Sequence, residues 1–232
     1  MRKHRRERYK FPKLSQETLK KARQRFLEGV GKPQAEFKID EFQREAILSV
    51  TSFNDTLVMA PTGSGKTFIA ISAMEIFLSL GHKCIYTTPL KALSNTKFAE
   101  FKEEFLDVKV GLLTGDRKID TEADLLIATT EIFRNELLKG VAKYSLVVLD
   151  EVHFIADPQR GAVWEEAIIL APKTSTLLML SATVPNYSQF SRWISQVRQK
   201  PCKVIVETNR PVPLRFGILD PVIGVAPLSI FR

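Results

Sequence analysis

The stretch Ala60-Pro61-Thr62-Gly63-Ser64-Gly65-Lys66-Thr67 most limits what this chain can become, because it joins the apolar run Leu57-Val58-Met59 to a helical pattern beginning at Phe68. A strand that turns through a glycine loop into a helix start aims several backbone N–H groups at one spot, which is how a phosphate chain is held. Gly63 and Gly65 let the backbone curl closely around such an anion. Lys66 adds a mobile positive charge for the β and γ phosphates, and Thr67 a hydroxyl ligand for Mg²⁺. The pattern reads as a nucleotide site.

Around this loop, apolar strand-like runs alternate with helical patterns. Strands are predicted near 56–60, 84–88, 108–113, 124–128, 145–149, 176–181 and 203–207, with helices near 40–51, 66–80, 90–105, 130–138, 160–170 and 187–197. Such alternation builds an α/β domain, a mostly parallel sheet with helices on both faces, whose ligands gather at the carboxyl ends of the strands. At 232 residues the chain suits one such domain with a tail.

The formal charge of +8 is concentrated at the start. Residues 1–34 carry twelve Lys or Arg against three Asp or Glu, and the remainder balances to within one charge. This describes a neutral globule with a basic N-terminal arm that suits nucleic acid or an acidic surface. Within the arm, Leu19, Ala22, Phe26 and Leu27 share one face of an amphipathic helix predicted near 15–27, and Gly29, Gly31 and Pro33 end it. Cys84 and Cys202 lie inside separate apolar segments and read as buried thiols in a reducing, cytoplasmic setting. No run has the length of a membrane span, and no apolar segment of a secretion signal follows Met1-Arg2-Lys3-His4-Arg5-Arg6.

Two further strand ends carry chemistry. Leu146-Val147-Val148-Leu149 runs into Asp150-Glu151-Val152-His153, which brings two carboxylates to the sheet edge of the phosphate loop. Asp150 is suited to hold Mg²⁺ through water, and Glu151 to orient the water that attacks the γ phosphate. His153 is read as a sensor of that phosphate or a link to neighbouring polar groups. Leu177-Leu178-Met179-Leu180 delivers Ser181-Ala182-Thr183, whose hydroxyls are expected to bond His153 or the acidic pair and so couple the site.

With these motifs in this order, the chain resembles the superfamily 2 helicases, specifically the DExH branch related to the superkiller and exosome-associated RNA helicases. The resemblance spans roughly residues 37–215 and includes Thr88-Pro89-Leu90-Lys91-Ala92-Leu93, Thr114-Gly115-Asp116, Thr129-Thr130-Glu131-Ile132, Arg160-Gly161-Ala162-Val163-Trp164-Glu165-Glu166 and Arg210-Pro211-Val212-Pro213-Leu214. It implies a single RecA-like P-loop NTPase domain over 35–215, with a strand or connector over 216–232 leading toward a second lobe. ATP and Mg²⁺ are the implied cofactors. Gln43 is implied to read the adenine edge, and Phe37 either stacks on the purine or acts as a hydrophobic staple for the following helix. Sequence-independent contacts to single-stranded RNA are implied at Pro89, Leu90, Lys91, Gly115, Asp116, Thr129 and Thr130, expected at the opposite set of strand ends from the nucleotide. For the threonines, an ordinary helix cap is the alternative.

The activity implied is that of the ATP-binding motor lobe of an RNA helicase, weakly active alone because family members complete the site with arginines from a second RecA-like domain. A nuclease is an implied partner. A DNA-helicase lobe and a non-catalytic RNA-binding scaffold are the alternatives, whereas a transporter ATPase would need a Leu-Ser-Gly-Gly-Gln signature that this chain lacks.

Overall fold

Asp40 caps α1 (Glu41–Thr51), and its backbone N–H donates to the Gln43 side chain at 3.0 Å, one arm of a capping box. The computed structural model describes residues 38–141, 143–182, 186–210, 217–220 and 224–227, together with Glu17 and Lys21. After α1 come β1 (Asp55–Met59), α2 (Lys66–Ser79), β2 (Cys84–Thr88), α3 (Lys91–Glu104), β3 (Val110–Leu113), β4 (Lys118–Ile119), β5 (Leu125–Thr129) and α4 (Thr130–Leu138). The chain continues through β6 (Leu146–Leu149), a 3₁₀ turn (Val152–Ala156), α5 (Gly161–Leu170), β7 (Thr176–Ser181), α6 (Tyr187–Arg198) and β8 (Cys202–Val206). β9 (Gly217–Asp220) and β10 (Gly224–Pro227) form a separate antiparallel ribbon, outside the compact unit of residues 39–211.

The eight strands lie in the order β4-β3-β5-β2-β6-β7-β1-β8. All neighbours are parallel except β3 and β4. Side chains alternate between faces with period two. Val58, Val148, Leu178 and Leu180 join Ala46, Met74, Phe77 and Phe101 in one core, under α1, α2 and α3. Leu57, Met59, Val147 and Met179 join Phe133, Trp164, Ile168 and Ile194 in the other, under α4, α5 and α6. Burial on both faces explains why these strands read as continuous apolar runs and not as alternating ones.

The α/β architecture agrees with the sequence reading, and each of its seven strands and six helices has a counterpart within a few residues. Three elements were not anticipated: the two-residue β4, the 3₁₀ turn after Glu151, and the pairing of the tail into a ribbon. The predicted helix near 15–27 lies outside the described residues apart from Glu17 and Lys21, whose side chains pair at 2.8 Å. Cys84 and Cys202 are both free; Cys84 is buried as expected whereas Cys202 is only partly so, and loss of solvent pushes both thiols up to about 12. Among the described residues no helix is long and apolar enough to cross a membrane.

Candidate nucleotide and nucleic-acid site

Parallel pairing brings the three motifs to one place. Met59 is in register with Ser181, and Leu149 with Met179, so the loops leaving β1, β7 and β6 emerge side by side at the carboxyl edge. The Ala60 N–H donates to the Ser181 carbonyl at 3.1 Å and extends the ladder by one residue before the glycine loop begins. Gly63 and Gly65 then take φ of +84° and +86°, in the left-handed region that suits glycine. A Cβ on Gly65 would stand 2.3 Å from Gln43 Nε2, so the Gln43 amide would have to move off its bond to the Ser64 carbonyl.

Gln43 is buried beneath the loop and donates from Nε2 to the Ser64 carbonyl at 3.0 Å, while its Oε1 accepts from Asp40. One amide hydrogen and one lone pair remain uncommitted. Lys66 Nζ folds back on the loop and donates to the carbonyls of Ala60 at 2.8 Å and Pro61 at 3.1 Å. Burial lowers the Lys66 pKa, Glu151 and Asp150 oppose that shift, and Arg210 adds to it.

Asp150 accepts from the Tyr86 hydroxyl at 2.5 Å and from the Glu151 N–H at 2.9 Å. Glu151 itself adopts φ of +52°, a left-handed turn that takes the chain out of β6 and into the 3₁₀ segment. Burial, then the neighbouring Asp150 charge, raise the Glu151 pKa, with His153 and Lys66 pulling it back. Burial, reinforced by Asp150, holds the Tyr86 phenol well above its usual range. His153 Nδ1 lies 3.2 Å from Glu151 Oε2, within ion-pair range but without hydrogen-bond alignment. Its ring rests on Phe154, which stacks on Trp164 at 5.7 Å and 16°.

These groups converge on a cavity of about 220 Å³ whose walls include Gly65, Lys66, Thr67, Lys97, Asp150 and Glu151. The fit to a magnesium–phosphate group rests on several features. Gly63 and Gly65 curl the loop through left-handed backbone, the Ser64 hydroxyl is buried with no hydrogen-bond partner, and Thr67 and the two carboxylates supply hard oxygen donors.

Two expectations are corrected. Ser181 does not bond His153 or the acidic pair: its hydroxyl is buried without a partner. Period-two alternation puts Ser181 on the face of Met179, whereas Asp150 follows Val148 on the other face. The candidate nucleic-acid residues do not occupy an opposite set of strand ends either. β2, β3 and β5 are parallel to β1 through the sheet, so their carboxyl ends share its edge and are displaced sideways across it.

On that side the structure brings Lys91 and Asp116 together, 3.4 Å apart between Nζ and Oδ1, with Gly115 against the Lys91 stem and Pro89 and Leu90 on the same rim. Of the two threonines, Thr129 is the helix cap and Thr130 the first helical residue. The Thr129 hydroxyl accepts from the Ile132 N–H, and Thr130, buried, donates to Thr88 O at 3.3 Å. Phe37 and Thr183 lie outside the described residues.

A family profile described as DEAD/DEAH box helicase matches residues 40–190, which hold the glycine loop, the Asp150–Glu151 pair and Ser181. The chain belongs to the DEAD/DEAH box helicase family. Within it, similar proteins include the Antiviral helicase SKI2 of Saccharomyces cerevisiae, 45% identical over 185 residues covering 78% of this chain and 14% of that protein. The Exosome RNA helicase MTR4 of Homo sapiens is 45% identical over 194 residues, covering 82% of this chain and 18% of that protein. The chain therefore spans less than a fifth of the length of these relatives. Among solved structures, a hypothetical ATP-dependent RNA helicase from Sulfolobus tokodaii superposes with a TM-score of 0.60 at 20% identity, covering 82% of this chain and 57% of that one. The DNA-bound helicase MrfA gives 0.62 at 18%, covering 79% and 29%. Both likenesses concern the fold.

This helicase domain holds three polar groups near the cavity that sequence reasoning missed. Tyr86 reaches Asp150, Lys97 Nζ stands 3.5 Å from Thr67 Oγ1 and 2.7 Å from Glu100 Oε2, and Arg210 Nη1 donates to the Thr62 carbonyl at 3.4 Å. Lys97 sits six residues beyond Lys91 on α3, a spacing that carries no motif.

Proposed function

We propose that this chain is the ATP-binding motor lobe of an ATP-dependent RNA helicase, in which hydrolysis drives movement along single-stranded RNA. The reading rests on one observation above the rest: Lys66, Thr67, Asp150 and Glu151 line a single cavity at the sheet edge. The name of the Exosome RNA helicase MTR4 supports RNA as the polymer, and the glycine loop with Lys66 supports a nucleoside triphosphate as the fuel.

The glycine loop would hold the β and γ phosphates through its amides and the Ser64 hydroxyl, with Lys66 leaving Ala60 and Pro61 to meet them. Thr67 directly and Asp150 through water would hold Mg²⁺, which when bound neutralises charge on the phosphates and orients them. Glu151, already turned out of the strand by its left-handed backbone, accepts a proton from the attacking water or aligns it, and His153 beside it is the proposed sensor of the γ phosphate. Gln43 offers its remaining N–H and lone pair to the adenine edge.

The rim of Pro89, Leu90, Lys91, Gly115 and Asp116 is the proposed RNA track, which contacts the backbone and reads no base. A second RecA-like lobe supplies the remaining catalytic charge, so this lobe alone turns over slowly. By analogy with the name of MTR4, an RNA-degrading complex is the proposed partner. The two free thiols favour a reducing, cytoplasmic setting.

The test is ATPase activity of a protein carrying the whole helicase core, measured with homopolymeric single-stranded RNA and with DNA of equal length. RNA should stimulate it strongly and DNA weakly. Equal stimulation removes the RNA assignment, and no stimulation by either removes the helicase reading.

A further inference from the structure

β2 neighbours β6, with Tyr86 directly opposite Val148. Period-two alternation carries Asp150 to the face of Val148, where Tyr86 is buried. The register thus delivers the phenol hydroxyl to Asp150 Oδ2 at 2.5 Å, while the Glu151 N–H takes Oδ1 at 2.9 Å. The Tyr86 ring is itself fixed by an edge-to-face contact with Phe101 of α3, with centroids 5.0 Å apart and planes at 83°. The ring is fully buried.

An aspartate carboxylate turns readily about its last bond, and one hydrogen bond on one oxygen does little to stop it. Two donors from different elements, one on each oxygen, fix the carboxylate plane. Each oxygen keeps a further lone pair for a ligand. We propose that Tyr86 is a positioning residue for the magnesium site: it locks the Asp150 carboxylate in the orientation in which its free lone pairs meet the water shell of the metal. This rests on the nucleotide reading above and adds a member to the site that no motif contains. Groups that orient a metal ligand commonly change metal affinity by about 10–100-fold when removed.

Tyr86→Phe deletes only the oxygen and keeps the ring against Phe101. The full chain and this variant are titrated with MgCl₂ in the presence of a fluorescent non-hydrolysable ATP analogue, and analogue affinity is also measured in EDTA. The half-saturating Mg²⁺ concentration should rise about 10-fold in the variant while metal-free affinity stays unchanged. A purely structural role would lower the thermal midpoint without moving the magnesium curve, and superimposable curves overturn the proposal. If the parent chain binds no analogue at all, the nucleotide reading fails and this proposal falls with it. If the parent binds and only the shift is missing, the proposal alone is lost.

Discussion

Arg198 and Asp55 form an ion pair with 2.9 Å between Nε and Oδ2 and neither side chain exposed to solvent. The guanidinium also donates to the carbonyls of Ala171, Pro172 and Ser175, and the second Asp55 oxygen accepts from the Leu177 N–H. The pair therefore ties the end of α6 and the α5–β7 connection to the start of β1, at the sheet edge away from the cavity.

Lys200 Nζ also lies 3.3 Å from Asp55 Oδ1, so Asp55 is the anion that two cations share, and removing it leaves the buried Arg198 without a counter-charge, which costs about 3–5 kcal/mol. Asp55→Ala should accordingly lower the thermal midpoint by on the order of 10 °C in a chain of this size. Calorimetry of the variant measures this, and a midpoint within about 2 °C of the parent would mean that water reaches the guanidinium.

Glu151→Gln should stop ATP turnover in a protein with the whole helicase core and leave nucleotide binding in place. The raised Glu151 pKa sets a pH dependence as well. A carboxylate whose folded pKa exceeds its unfolded value destabilises the fold once ionised, and that penalty shrinks as pH falls through the folded value and is gone below the unfolded one. Glu151→Gln should then raise the thermal midpoint near pH 7.5 and change it little near pH 4. The acid limb of the ATPase profile should likewise lie above the ordinary carboxylate range. An identical midpoint shift at both pH values would show that the gain has another source.

Lys91→Ala should weaken RNA binding in the whole core and flatten its dependence on salt by about 0.7 in logarithmic slope, the share of one phosphate contact on a single strand. The Lys91–Asp116 pair is largely exposed, so its loss should cost at most about 1 kcal/mol of stability. Affinity measured by fluorescence anisotropy at several salt concentrations decides this. A slope equal to that of the parent takes Lys91 off the RNA track.

The parts of this architecture that were legible in the sequence are those written in consecutive residues. Leu146 to Leu149 is a buried strand because both faces of the sheet are covered, and Asp150 stands at its end by chain connectivity alone. Gly63 and Gly65 are legible because few other residues hold their φ values. What was not legible depends on strand order. The Tyr86–Asp150 contact joins residues 64 apart and Arg198–Asp55 joins residues 143 apart, through neighbours that no local pattern specifies. The misplacement of Ser181 has the same root, since facing direction requires the register of β7 against β6 as well as the motif. β4 escaped notice because Lys118 and Ile119 pair only by folding back on Leu112 and Leu113.

The central claim is that the loop from Ala60 to Thr67 binds the phosphates of a nucleotide, with Lys66 as its mobile charge. Isothermal titration of the chain with a non-hydrolysable ATP analogue and Mg²⁺, repeated with Lys66→Ala, tests it most directly. Saturable one-to-one binding to the parent, weakened at least 10-fold in the variant, is the predicted result; about 1.4 kcal/mol of lost binding energy corresponds to that factor. Equal affinity in the two proteins, or no binding to the parent, would contradict it.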